Sequence, residues 1–223
     1  MEILYILLGA ILSIVTTIFI EEKRKPSLSL EIQANEEIAN YPENTRPAKK
    51  AKFLYIDVRN QELPWALKWL TRNAAFQCHG TVTFHHLDGT RVFTNSMPIR
   101  WTSLPNPEGQ ASIIDNKVAV LYDINKINHD SRIDIYPGFK ESINIAARFD
   151  DDEECYGWTN KNFFSAPMWR NPDWKLPNGR FLVKVVISSS VVKCEGIFRL
   201  VNDVGMKDFR LEKALEEDKI YHS

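Results

Sequence analysis

Residues Ile3 to Ile20 carry no charged side chain, and Glu21-Glu22-Lys23-Arg24-Lys25 follow at once. As a helix, these eighteen residues at about 1.5 Å of rise cover roughly 27 Å, close to the ~30 Å hydrocarbon core of a bilayer. The run is therefore read as a single-pass transmembrane α-helix anchoring the chain over residues 1-22. Retention rather than cleavage is expected, because only Met1-Glu2 precede the run and Thr16-Thr17-Ile18-Phe19-Ile20 lacks a small-x-small exit. Lys23, Arg24 and Lys25 on the C-terminal flank favour a cytoplasmic C-terminal domain at the cell membrane. Gly9, Ser13 and Thr17 recur every fourth residue, which makes one stripe where a second helix can approach and predicts a homo-oligomer. The same spacing also arises because small residues are common in membrane helices.

Beyond the anchor and its flank remain roughly 190 of the 223 residues, enough for one domain with a real core. A formal net charge of −1 gives no global field for binding nucleic acid, which is disfavoured as a partner. Cys78, Cys155 and Cys194 are an odd set in a chain of this length and are read as reduced thiols, small buried apolar groups rather than a disulfide framework.

The remaining pattern is mostly period two. Ser27 to Ile32 alternates polar and apolar residues and is the expected first strand, followed by a loop from Asn35 to Lys52 with prolines and a Lys49-Lys50-x-Lys52 cluster. Phe53 to Val58 reads as a strand that breaks at Arg59-Asn60. Leu63 to Phe76 changes character: Pro64 suits a first helical turn, and Trp65 with Trp69 and Ala66 with Leu70 stand at helical spacing. A short helical insertion with both tryptophans in the core is expected there. Cys78 to Leu87 alternates into Asp88-Gly89, the signature of a hairpin continued by Arg91-Val92-Phe93, and Met97 to Trp101 reads as an edge segment. Further strands are expected at Val118 to Asp123, Ile133 to Ile135, Ser142 to Phe149, Phe181 to Ser188 and Val191 to Val201, with a short helix or frayed end after Gly205. The division is an anchor over 1-22, a juxtamembrane segment with first strand and loop over 23-52, a β-sandwich over 53-203, and a charged tail over 204-223.

Asp134-Ile135-x-Pro137-Gly138 opens one strand, and Leu176-Pro177-Asn178-Gly179-Arg180-Phe181 opens a late one. These paired turn-and-strand signatures resemble bacterial immunoglobulin-like modules. The resemblance implies an all-β fold, an immunoglobulin-like antiparallel β-sandwich of about seven strands, and it carries no activity, since that architecture hosts many functions.

The least ordinary stretch is Arg148 to Trp174, where Asp150-Asp151-Asp152-Glu153-Glu154 runs into a connection rich in aromatics and amides. Long connections in compact domains are usually functional, and this one is too aromatic to be disordered. Trp158, Asn160, Asn162, Trp169, Arg170 and Asn171, with Arg100 and Trp101 from the neighbouring edge, form a candidate site for a protein partner or a small ligand. The alternative is that the rings fold over the sandwich and fill a second small core. The five acids read as a solvated turn rather than a calcium loop, because the alternating Asp/Asn spacing and glycine of such loops are missing. No phosphate loop, nucleophile elbow or H-E-x-x-H helix occurs, and His85 and His86 fall on opposite faces of one strand. No catalytic residue, metal or cofactor is expected. The function expected is that of a membrane-tethered, self-associating interaction or scaffold domain, or else a membrane-anchored sensor whose 155–174 loop takes a small molecule.

Overall fold

The computed structural model describes residues 2–33, 38–40, 50–106, 109–114, 117–122, 132–165 and 169–218. The apolar run is one helix, α1 (Glu2–Arg24), none of whose residues is buried and which is long and apolar enough to cross a membrane. Thr16 and Thr17 donate their hydroxyls to the carbonyls of Leu12 and Ser13, so the two polar side chains late in the run are satisfied within the helix.

Everything after α1 that is regular is mostly β-strand: β1 (Leu28–Ile32), β2 (Ile38–Asn40), β3 (Lys50–Asn60), β4 (Ala75–His85), β5 (Met97–Pro98), β6 (Arg100–Trp101), β7 (Gly109–Ile114), β8 (Lys117–Tyr122), β9 (Ile133–Ile135), β10 (Lys140–Phe149), β11 (Cys155–Gly157), β12 (Lys175–Leu176), β13 (Arg180–Ser188), β14 (Lys193–Val201) and β15 (Arg210–Lys213). They build two antiparallel sheets. In one, β1, β3, β10, β11 and β12 lie side by side, with β2 also on β3 and β6 also on β10. In the other, the order is β15, β14, β13, β4 and β5, with β9 also on β4, while β7 and β8 pair only with each other. The main core lies between the sheets. Leu54, Ile56, Val58, Ile143 and Ile145 meet Val82, Phe84, Phe181, Val183, Val185 and Ile187 there, all nearly inaccessible to solvent. These are the apolar members of period-two strands, as expected where one sheet face is buried against another.

The bend in β10 decides what lies on the far side of the first sheet. Its register against β3 shifts between Asn144 and Ala146, a β-bulge. Ile143 before it and Ile145 within it face the main core, and after it Ala147 and Phe149 belong to a separate cluster with Ala51, Phe53, Tyr156 and Trp158. The inserted residue reverses which parity of the strand faces which layer. The first sheet is therefore covered on both faces.

Four local expectations are corrected. The 63–76 segment holds only a single 3₁₀ turn, Trp65–Leu67, and Trp65 and Trp69 are 83% and 69% exposed rather than core. The hairpin turn at Asp88-Gly89 forms, with Gly89 at φ 87°, yet beyond it only an isolated bridge joins His85 to Arg91. The 205–218 segment opens on a single 3₁₀ turn, Met206–Asp208, and then forms an edge strand in place of a longer terminal helix or a frayed end: Phe209 is fully buried and β15 pairs with β14. Of the expected 35–52 loop, 38–40 form β2 and 50–52 already belong to β3, and the remainder lies outside the described residues.

The end of α1 is bonded into the sandwich. The Asn73 N–H donates to the Arg24 carbonyl at 2.7 Å, Arg24 Nε donates to the Thr71 carbonyl at 3.3 Å, and Arg72 Nη1 donates to the Lys25 carbonyl at 2.6 Å. The first satisfies a carbonyl that the last helical turn leaves without an intrahelical partner, the third does the same for the residue just beyond the helix, and the second ties the Arg24 side chain to the loop. Asn60, wholly buried at the end of β3, ties the same corner: its Oδ1 accepts from the Ser27 N–H, and its Nδ2 donates to the carbonyls of Asn73 and Ile135.

Candidate functional site

The connection from β10 to β12 begins as the acidic turn, which the Asp152 N–H closes on the Phe149 carbonyl. β11 follows and pairs with β10 on one side and β12 on the other. Thr159 then caps a 3₁₀ turn, Asn160–Phe164, and Asn171 caps another, Pro172–Trp174. These two caps explain the amides in the sequence: side-chain oxygens of Thr and Asn satisfy N–H groups that a helix start leaves unpaired.

Asn162 is 0% exposed and fully engaged, its Oδ1 accepting from the Thr159 N–H at 2.9 Å and its Nδ2 donating to the carbonyls of Gly157 and Trp169 at 3.0 and 3.1 Å. The buried Asn171 accepts from the Asp173 N–H at 3.0 Å. Both amides are spent on loop shape. Asn160 is half-buried at the rim of a cleft of about 340 Å³ lined also by Pro98, Ile99, Thr159 and Lys161.

Trp158 is 2% exposed, and its ring meets three others edge-on: Phe53 at 4.7 Å, Phe163 at 5.7 Å and Trp169 at 6.0 Å between centroids. The ring cluster is thus a second core on the outer face of the first sheet, with Phe163 and Trp169 half-exposed on its rim. Trp169 itself has φ 63°, unusual for a bulky residue, and its N–H donates to the Ser165 carbonyl.

Arg170 follows that strained residue and enters the acidic turn. Its Nε donates to Asp152 Oδ2 at 2.6 Å, its Nη2 pairs with Asp151, and its guanidinium carbon lies 4.1 Å from the centre of the Phe149 ring. Burial works against the charge. The hydrogen bond from Arg170 to Asp152 and the charges of Asp152 and Asp151 outweigh it and hold Arg170 above its ordinary pKa. Tyr156 donates its hydroxyl to Asp152, and burial first, then the charges of Asp152 and Glu154, push its pKa up. Glu154 pairs with Lys175 at 2.7 Å. Among the described residues no group of three or more His, Cys, Asp or Glu side chains is arranged to hold a metal ion.

Arg100 and Trp101 part company because neighbouring strand residues face opposite ways. Trp101 is fully buried in the main core, whereas Arg100 reaches the second, its guanidinium carbon 5.2 Å from the centre of the Phe163 ring. Arg100 donates to Asn144 Oδ1, the Leu104 carbonyl and Asn106 Oδ1, and burial lowers its pKa. The structure therefore brings together Trp158, Asn162, Trp169, Arg170, Asn171 and Arg100 around one layer, with Asn160 at its rim, and sends Trp101 elsewhere. Sequence reading missed that Asp151 and Asp152 serve Arg170, and that Phe53, Phe149 and Tyr156 form the floor. One signal was present: β3 is apolar on both parities from Ala51 to Ile56 apart from Lys52, as in strands covered on both faces.

Cys78 and Cys155 are fully buried, Cys194 on β14 is only half-buried, and all three are free. Burial, reinforced by the charge of Asp134, pushes the Cys78 thiol up to about 11. Gly9, Ser13 and Thr17 lie along exposed α1, and nothing within 4 Å meets a side chain placed at Gly9. No protein-family model, curated protein or solved structure matches this chain.

Proposed function

We propose that this chain is a non-enzymatic interaction or scaffold protein of the cell membrane, crossing it once through α1 and presenting an immunoglobulin-like sandwich on the cytoplasmic side. The observation that carries the reading is the welding of helix to sandwich. Three residues, Lys25 to Ser27, separate α1 from β1, and three hydrogen bonds join Arg24 and Lys25 to the 71–73 segment. A domain fixed to its anchor in this way is held in one orientation to the bilayer, which suits presentation of a surface and transmits any helix contact to the sandwich. Self-association through the Gly9, Ser13 and Thr17 stripe belongs to the same reading. The polar groups of the 155–174 loop support a non-enzymatic role, since Asn162 and Asn171 are taken up in shaping the loop and Arg170 is paired to Asp151 and Asp152 through Nη2 and Nε.

The test is the mass of the detergent-solubilised chain beside Gly9→Leu, a change that meets nothing within the protein. A wild-type oligomer that falls to monomer in the variant is the expected result, and a monomer in both overturns self-association. A second reading, a small-ligand sensor, draws on the cleft beside Asn160 and Lys161. Small molecules released from the purified wild-type chain but absent from a Pro98→Trp variant would favour it.

A further inference from the structure

The exposed apolar side chains of the sandwich are concentrated at one end. Outside α1 the described residues include eight large hydrophobics that are strongly exposed, and six of them, Trp65, Trp69, Phe76, Tyr136, Phe139 and Val191, belong to segments at the end from which α1 leaves. The remaining two are Leu87, in the turn beyond the other end of β4, and Leu215, after the edge strand β15. Backbone hydrogen bonds locate the six. The 65–73 segment is bonded to the last residues of the helix, as described above. The Tyr136–Phe139 turn is bonded to Asn60 through the N–H of Gly138, at 2.8 Å, and the carbonyl of Phe139, at 3.2 Å. Val191 follows Ser190, whose N–H donates to the Phe76 carbonyl.

Distance along the chain sets their depth. Four helical residues from Ile20 to Arg24 rise about 6 Å, and the headgroup layer on each side of a bilayer is roughly 5–8 Å thick. Arg24 therefore lies in that layer when α1 spans, and so does Asn73, bonded to its carbonyl. Trp69 is four residues from Asn73, within about 14 Å even if the chain were fully extended. Trp and Tyr are the residues that collect at this level, with the ring in the apolar boundary and the N–H or O–H in the wet one.

Charge follows the same axis. The 61–74 segment has Lys68 and Arg72 against one acid, Glu62, and the flank adds Lys23, Arg24 and Lys25, while Glu21 and Glu22 pair with Arg24 and Lys25. The five-acid turn lies after Phe149, at the opposite end of β10, where it is kept away from anionic headgroups. We propose that this end of the sandwich is a membrane-seating surface: Trp65, Trp69, Tyr136 and Phe139 enter the headgroup layer of the bilayer that α1 crosses, with Lys68 and Arg72 at the phosphates. The inference rests on the anchor reading and adds a second attachment to it, so that the sandwich lies seated on the lipid rather than hanging from a stalk.

The test uses the full chain in nanodiscs of phosphatidylcholine and phosphatidylglycerol, with and without brominated acyl chains. The Trp fluorescence of wild type minus that of W65S/W69S isolates the two exposed indoles. Quenching of that difference signal by brominated lipid, with shielding from aqueous iodide, is expected. Quenching by iodide and not by lipid overturns the proposal, because the indoles then face water. Shielding from both also overturns it and assigns the surface to a second copy or another protein. Carbonate extraction of native membranes checks the anchor separately: release of the wild-type chain sinks both readings, whereas retention without lipid quenching sinks only the seating surface. A Y136S/F139S pair, whose side chains are likewise exposed, is expected to weaken lipid quenching of the remaining indoles and guards against a local effect at Trp65 and Trp69.

Discussion

Trp158→Ala distinguishes a second core from a presented surface. The indole is 2% exposed and touches three rings with centroids between 4.7 and 6.0 Å away, a range in which each aromatic pair adds about 0.5–1.5 kcal/mol beyond area burial. Trp→Ala in a core costs about 3–5 kcal/mol in total. Two of the three partners, Phe163 and Trp169, are half-exposed and can close part of the gap, which places this site near the lower figure, about 3 kcal/mol. For a domain of this size 1 kcal/mol moves the melting temperature by about 2–4 °C, so the expected drop is about 6–12 °C. The measurement is near-UV circular dichroism of the full chain in detergent on heating, with Trp65→Ala as control. Trp65 is 83% exposed, and its removal is expected to change stability by no more than about 0.5 kcal/mol. If W158A melts within about 2 °C of wild type, the ring is not structural and the reasoning from burial fails.

Arg170→Ala leaves Asp151 and Asp152 facing each other without their cation and strips the Phe149 face. Since the two carboxylates are 26% and 23% exposed, solvent relieves part of the penalty, and about 2 kcal/mol is expected in a denaturant titration. A double-mutant cycle with Asp152→Asn that gives a coupling under about 0.3 kcal/mol would count against the pair. His85, 3% exposed, makes stability depend on pH. Its Nδ1 faces the Gly89 carbonyl, which only accepts, so Nδ1 carries the proton and Nε2 accepts from the Thr83 hydroxyl. Burial lowers its pKa, with Arg91 and Lys184 acting in the same direction and the Gly89 bond against. The unfolded chain then binds the proton first, so stability falls as pH drops through the unfolded value of about 6.5 and stops falling below the folded one. Unfolding midpoints taken downward from neutral pH should show this slope, and His85→Gln should flatten it.

Much of the strand content was written in period two. β1, β4, β13 and β14 fall where the strand pattern placed them, because a face buried against the other sheet imposes it directly, and β10 falls there too although its second half is buried on both faces. The failures have a common physical cause. At Trp65 and Trp69 the helical spacing was real but led only to a 3₁₀ turn, and whether a tryptophan goes inward depends on what layer is adjacent, which spacing does not encode. In the candidate site the residues that meet were recognised as a group, except that Trp101 belongs to the main core. The caps are local, Thr159 to Lys161 and Asn162 and Asn171 to Asp173, but the ring stack depended on Phe53 of β3 and the seat of Arg170 on Phe149 of β10, partners that local pattern does not name.

The sequence by itself determined that a helix built on the uncharged run Ile3 to Ile20 precedes a β-rich domain, since hydrophobic length and alternation are local properties of the chain. Only the tertiary structure decided that a bulge at Asn144–Ala146 turns Ala147 and Phe149 to the outer layer, that Arg170 pairs with Asp151 and Asp152 of the acidic turn, and that the exposed aromatics gather where the helix ends. Each of these is a relation between segments distant in sequence, fixed by strand register and by hydrogen bonds between loops, and it exists only once the sheets have assembled.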